Sequence, residues 1–302
     1  MKFQEPLYLE AVKKEYLWGT EEWLLSCHPG GMCRILNEQH GQAFLGEYFQ
    51  DKEFPLLIKE IDAREALSVQ VHPRDAYAWE QEGCRGKTEM WYVLDHKPGA
   101  FLYYGLKNRV TEKELRKRIR NGTLTEICRK QTVKKGDVFY IPPGMLHGIG
   151  GGIRVVEVQQ NSHITYRVYD YNRVDHMQRP RTLHVEQAMD VMELMPALGG
   201  HVPLGQRTRR EGYSQMLLTG CEHFSVWVYE VETEVTLRVE ELCPGGDFLF
   251  LLMLEGEGML FWDKGKGGEG HKPLKRRDSI YLPAACGPTR VQGPGKLLVS
   301  GV

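Results

Sequence analysis

The chain has 302 residues, 41% hydrophobic and 26% charged, so it is long enough for one large or two modest packed domains and too apolar to stay disordered. Its 39 basic and 40 acidic residues leave a formal net charge of −1, which excludes a global field that draws in nucleic acid or an anionic membrane. The opening Met1-Lys2-Phe3-Gln4-Glu5-Pro6 lacks the apolar run of a secretory signal, and no stretch of about 18 apolar residues could span a bilayer, so a cytoplasmic protein is expected.

Along the chain, short alternating or apolar runs bounded by Gly, Pro and Asp predict strands at 66–72, 90–94, 138–141, 153–158, 164–169, 224–231 and 248–254. Helical signals are fewer. Residues 111–120 carry a Thr cap, early acidic and late basic residues and an Asn121-Gly122 stop, and a second short helix is predicted over 185–195. Many strands with few helices between them point to antiparallel barrels or sandwiches, not a parallel α/β sheet. The seven cysteines, at 27, 33, 84, 128, 221, 243 and 286, are odd in number and scattered without a C-x-x-C pair, which predicts reduced thiols.

The stretch Gly136-Asp137-Val138-Phe139-Tyr140-Ile141-Pro142-Pro143-Gly144 returns in outline 141 residues later as Arg277-Asp278-Ser279-Ile280-Tyr281-Leu282-Pro283-Ala284-Ala285. Two copies of one architecture are expected: an N-terminal domain over 1–180 with the functional site, a polar connecting segment over 181–213, and a C-terminal domain over 214–302. The tract 265–270 reads as a hairpin loop and not a phosphate cradle, because no helix follows it.

Gln70 and His72 are two apart in an extended run, so a period of two sends both side chains to one face, with Ser68 beside them and Leu67, Val69 and Val71 opposite. Glu89 begins the next strand after the loop Arg85-Gly86-Lys87-Thr88, and His147 follows the turn Pro142-Pro143-Gly144, which re-aims the chain. Two imidazoles, a carboxylate and an amide oxygen suit one Zn²⁺ per chain in a catalytic role, while Fe²⁺ or Mn²⁺ would accept the same set. Applying the 141-residue offset to His147 lands on Pro288, which has no donor atom, so the metal site is expected in the first domain only.

Gly136, Pro142, Gly144 and His147 reproduce G-x5-P-x-G-x2-H, and with Gln70, His72 and Glu89 they resemble the two cupin motifs. The stretches Phe54–Lys59, Ile61–Ala63, Leu67–Pro73, Gly86–Trp91, Gln159–Ser162 and Thr165–Tyr171 are closer still to the short bacterial form of type I mannose-6-phosphate isomerase (phosphomannose isomerase), in that family's order, across roughly residues 15–190. The resemblance implies a mainly β fold of two cupin-type (jelly-roll) barrels with a few short helices, the second degenerate. It implies a phosphorylated hexose as substrate and reversible conversion of mannose 6-phosphate to fructose 6-phosphate through a cis-enediolate. Gln70, His72, Glu89 and His147 match the family's zinc ligands, Arg167 its catalytic arginine, and Lys87 the lysine two before the glutamate ligand.

Moving a proton between C2 and C1 requires an electrophile at the substrate oxygens, a proton acceptor and a neighbouring cation. Arg167 stays protonated and suits the cation; Lys87 suits a base or shuttle. The alternatives are a salt bridge for Arg167, for instance to Asp170, and a solvated loop charge for Lys87. Ser68, Lys59 and Arg173 are candidate phosphate contacts, with Lys59 equally readable as a strand-end charge. The family usually has Asp where this chain has His163, four residues before Arg167 and expected on the same strand face, where an imidazole would make turnover sensitive to pH near neutrality. Two other functions use the same scaffold: a non-catalytic sugar-phosphate sensor, and an Fe²⁺-dependent cupin oxygenase. The sequence leaves the oligomeric state open.

Overall fold

Period-two patterning dominates the chain, and antiparallel strands are what form. The computed structural model describes residues 3–49, 54–175, 177–197, 203–265 and 268–302. Two compact units gather them, one from Lys13–Glu22 and Lys59–His201, the other from Met1–Val12, Trp23–Ile58 and Val202–Val302.

In the unit that holds the chemistry-bearing residues, a five-stranded sheet runs in the order Tyr166–Tyr169, Val69–Val71, His147–Ile149, Phe101–Leu106, Cys128–Thr132. Strand Glu89–His96 belongs to another sheet, between Val138–Ile141 and Ile153–Gln160 and antiparallel to both. Apolar side chains collect in two clusters. Trp91, Phe139, Ile141 and Val155 belong to one, and Val69, Val71, Leu115 and Leu146 to the other.

Helix Glu112–Arg120 begins where Thr111 predicts it, with the Thr111 hydroxyl accepting from the Glu114 N–H at 3.2 Å. Helix Val185–Val191 is shorter than the predicted 185–195, and helix Asp75–Glu82 was not predicted. The latter has almost no apolar stripe, only Ala78 being buried, so its periodicity is silent.

The units do not follow the expected division into 1–180, 181–213 and 214–302. Strand Leu7–Glu10 is apolar on three of its four residues, and it pairs antiparallel with Ser279–Pro283, Leu7 opposite Tyr281. A buried strand must satisfy its backbone groups wherever a partner edge exists, which sequence distance does not limit. Conversely, part of the expected connecting segment belongs to the first unit, where Ala188 and Met192 join the core.

The repeat holds to the level of single hydrogen bonds. In one copy Lys134 N–H donates to Asp137 Oδ2 at 2.8 Å and Gly136 N–H to Val93 O at 2.8 Å; in the other Lys275 N–H donates to Asp278 Oδ2 at 2.7 Å and Arg277 N–H to Met253 O at 2.7 Å. Gly136 and Arg277 both take positive φ, 89° and 75°. The interior between the second copy's strands is apolar, filled by Val235, Leu251, Leu260, Ile280, Val291 and Val299, and among the described residues no cluster of three His, Cys, Asp or Glu ligands forms there. All seven cysteines are free, as expected. The hairpin expected at 265–270 joins the paired strands Phe248–Asp263 and Glu269–Lys275, although its residues 266–267 lie outside the described residues.

Leu251 is fully buried in this apolar core. Leu251→Ala should lower stability by about 2–5 kcal/mol, read from the shift of the denaturant midpoint.

Candidate metal centre

Strand register brings the candidate residues together. Gln70 lies opposite His147 on one neighbouring strand and opposite Arg167 on the other, while Glu89 lies opposite Gln159 and Glu157 opposite Trp91. A bulge between Arg167 and Tyr169 breaks the pairing just beyond the arginine, a common device for re-aiming a side chain.

His72, Glu89 and His147 are buried, and their ligand atoms all lie within 4.8 Å of one another. The tautomer of each imidazole is fixed from behind. His72 Nδ1 sits 2.8 Å from Ile164 O, and His147 Nδ1 sits 2.8 Å from Met145 O. A carbonyl oxygen only accepts, so each Nδ1 carries the proton and each Nε2 presents a bare lone pair.

Those two Nε2 atoms face each other at 3.1 Å, with Glu89 Oε1 3.3 Å from that of His147 and Glu89 Oε2 3.6 Å from that of His72. Neither Glu89 oxygen accepts a hydrogen bond, although the Lys87 ammonium lies 2.7 Å from Oε2. Converging lone pairs on His72 Nε2, His147 Nε2 and Glu89 Oε1 repel one another unless a cation lies between them, so these residues fit a divalent metal ion. Gln70 completes the group, its Nε2 being 3.5 Å from His147 Nε2 and its Oε1 accepting from Ser68 Oγ at 3.3 Å. Turning that amide over presents Oε1 to the centre and lets Nε2 donate to the same hydroxyl.

Burial and the nearby Lys87 charge push the His72 pKa down to about 3, and burial lowers that of His147, so both imidazoles stay neutral. For Glu89 burial works the other way, yet the Lys87 charge holds its carboxyl well below the usual range.

Lys87 is not a solvated loop charge: it is 4% exposed, and its ammonium also lies 3.7 Å from Glu157. Its loop is clamped. Lys87 N–H donates to Pro73 O at 3.1 Å, Gly86 N–H to Asp75 Oδ1 at 2.7 Å, and Gln160 joins Asp75 to Thr88 through bonds of 3.0 and 2.8 Å. A Cβ on Gly86 would lie 2.6 Å from Arg74 C, Asp75 N and Pro73 O, all backbone atoms that cannot yield.

Lys59 is neither a strand-end charge nor a solvent-facing contact for phosphate. It lies within strand Leu56–Ala63, 5% exposed, with Nζ 3.1 Å from Glu157 and 3.7 Å from Glu21. Burial opposes its charge, but Glu21 and Glu157 outweigh that and raise its pKa. Glu157 was not predicted as a site residue. Burial and the Glu89 charge raise its pKa, while Lys87 and Lys59 pull against them, and Trp91 Nε1 donates to its Oε2 at 2.9 Å. The signal was a lone acid in the apolar run Val155-Val156-Glu157-Val158.

Arg167 does not pair with Asp170, which binds Arg173 and Arg181 instead, each at 2.5 Å. Arg167 Nε donates to Ser68 Oγ at 3.3 Å and Nη1 to Thr182 O at 3.0 Å. Ser68 therefore links the arginine to Gln70. Arg173 also donates to Ala66 O at 2.6 Å. His163 lies before strand Tyr166–Tyr169, so the shared-face expectation fails; part of its surface stays open to solvent, and the partial desolvation of the rest, with the charges of Lys59, Lys14 and Lys87, lowers its pKa, moving its titration away from neutrality.

No family model matches the chain. It is 34% identical to mannose-6-phosphate isomerase ManA of Bacillus subtilis, covering 98% of each chain, and 33% identical to mannose-6-phosphate isomerase of Streptococcus mutans, again covering 98% of each. The crystal structure of the Bacillus subtilis mannose 6-phosphate isomerase superposes with a TM-score of 0.89 at 33% identity, covering 99% of this chain and 100% of that one. A variant of phosphomannose isomerase from Salmonella typhimurium, at 14% identity, shares the fold with a TM-score of 0.70, covering 98% of this chain and 99% of that one.

Two outcomes follow from this geometry. Gly86→Ala should cost about 1–3 kcal/mol of stability. By shifting Lys87 and Glu89 it should also lower activity on the order of a hundredfold, checked by steady-state rates beside a melting curve. In metal-free protein, His72 titrates near 6.5 when unfolded but only at about 3 when folded. Stability is therefore full above the unfolded value and declines as pH falls from there, by up to about 1.4 kcal/mol per pH unit for each such histidine. Denaturant midpoints across pH should show this slope, and His72→Leu should flatten it.

Proposed function

Because the chain belongs to the mannose-6-phosphate isomerase family, we propose that it interconverts mannose 6-phosphate and fructose 6-phosphate at the centre formed by Gln70, His72, Glu89 and His147. One observation carries the placement: two Nε2 lone pairs meet at 3.1 Å, with Oε1 of the buried Glu89 carboxylate 3.3 Å from one of them. The chain is an isomerase with a metal cofactor and a phosphorylated sugar as substrate. Zinc is the metal we assign, because two neutral imidazoles, a carboxylate and an amide oxygen form a borderline donor set with room for a further ligand. When bound, the ion supplies Lewis-acid polarisation of the substrate carbonyl.

The remaining chemistry belongs to this chain's own groups. Isomerisation takes a proton from one carbon, returns it to the next, and passes through an anion spread over two oxygens. Arg167 lies opposite Gln70 in the sheet and presents a permanent cation to that developing charge. Lys87 Nζ stands 2.7 Å from Glu89 and 3.7 Å from Glu157, so its ammonium can pass a proton to the raised-pKa carboxylate of Glu157, and the amine so formed can take one from the substrate carbon. Arg173 and Ser68 remain the assignments for the phosphate. Lys59 does not contact phosphate here: its ammonium holds Glu157 in place and moderates its charge. His163 stands at the margin, adding polarity near the substrate and no charge at neutral pH.

Chelation should abolish activity and added Zn²⁺ restore it. Arg167→Ala should retain one equivalent of metal while kcat falls by about a hundredfold or more. Metal analysis beside an isomerisation assay checks both, and loss of metal from Arg167→Ala would reassign that residue to structure.

A further inference from the structure

We propose that His184 is a positioning residue for Arg167, and that the segment Arg181–His184, outside the family motifs that drew attention to the site, works as a strap that sets the arginine. The inference rests on Arg167 being the cation of the isomerase site.

Strand Tyr166–Tyr169 is the edge of its five-stranded sheet, so its outward backbone groups need partners that no strand provides. For Arg167 the partner is a side chain and backbone together: Arg167 N–H donates to His184 Nδ1 at 3.2 Å, and His184 N–H donates to Arg167 O at 2.8 Å. Both main-chain groups of Arg167 are thus spent away from Gln70. That makes Arg167 and Gln70 a pair without mutual backbone hydrogen bonds, the type in which facing side chains come closest. Two residues earlier the same segment takes the other end of the arginine, Thr182 O accepting from Nη1 at 3.0 Å.

The strap is itself anchored, since Arg181 donates from Nε to Asp170 Oδ2 at 2.7 Å just past the strand's end. His184 occupies the cap position of helix Val185–Val191, yet its side chain makes no capping hydrogen bond. Its acceptor is committed to Arg167 instead. An arginine long enough to adopt many rotamers is then fixed by its backbone, by Thr182 and by Ser68, and reaches the reacting oxygens already oriented.

His184→Asn and His184→Leu test this in the full, metal-loaded enzyme. Asparagine Oδ1 and histidine Nδ1 are both bonded to Cγ, so Asn can keep the acceptor while Leu removes it. His184→Leu should lower kcat about tenfold or more, with KM for mannose 6-phosphate changed less than about threefold and metal content unchanged. His184→Asn should return kcat to within about threefold of the parent. An unchanged kcat in His184→Leu overturns the proposal, and so does a His184→Asn enzyme as slow as His184→Leu. Arg167→Ala measured alongside separates the two layers: if it is slow while His184→Leu is normal, only the positioning role is lost, whereas a fully active Arg167→Ala removes the reading beneath it.

Discussion

Everything at the centre depends on two backbone carbonyls. Ile164 O and Met145 O hold the Nδ1 protons of His72 and His147, so both Nε2 lone pairs must point inward, toward each other and toward Glu89. Two imidazole lone pairs and a carboxylate oxygen turned toward one another repel, and the Lys87 ammonium meets the carboxylate from one side only, at Oε2. The scaffold imposes the arrangement nonetheless, through the Gln70–His147 register on one sheet and the clamped loop that delivers Glu89 from another. A site preformed against such repulsion is one that a cation completes.

The surrounding charges agree. Three buried or nearly buried carboxylates, Glu21, Glu89 and Glu157, share two ammonium groups, Lys59 and Lys87, which leaves one negative charge in excess. The raised pKa of Glu157, driven by burial and by Glu89, shows where that excess is felt. A dication at the histidines reverses the sign of the cluster and relieves it. The same cluster leaves Glu157 as the carboxyl most ready to exchange a proton, which is what isomerisation asks of a neighbour of the metal.

Much of this could be read from the residues. Strand phase placed Gln70 and His72 on one face, the proline turn re-aimed the chain to His147, and the faint repeat foretold a turn that recurs hydrogen bond for hydrogen bond. The apolar interior of the second copy fits the missing donor at Pro288. Other features lay beyond local pattern. Leu7–Glu10 joins a strand more than 260 residues away because backbone pairing obeys space and not sequence. Helix Asp75–Glu82 lacks an apolar stripe, so nothing periodic announced it. Lys59 reads as a phosphate contact or a strand-end charge because the carboxylates that bind it, Glu21 and Glu157, come from separate segments. His184 was hidden for a similar reason: it sits in a polar stretch that reads as a linker, and its partner is reached only across a sheet edge.

Anomalous diffraction from crystals grown with zinc, recorded on both sides of the zinc absorption edge, locates the ion at or away from these side chains. One peak bonded to His72 Nε2, His147 Nε2 and Glu89, at about 2.0–2.2 Å from each, is the predicted result. Absence of a peak there, or a peak on other side chains while the two Nε2 atoms still face each other, contradicts a metal centre at these residues.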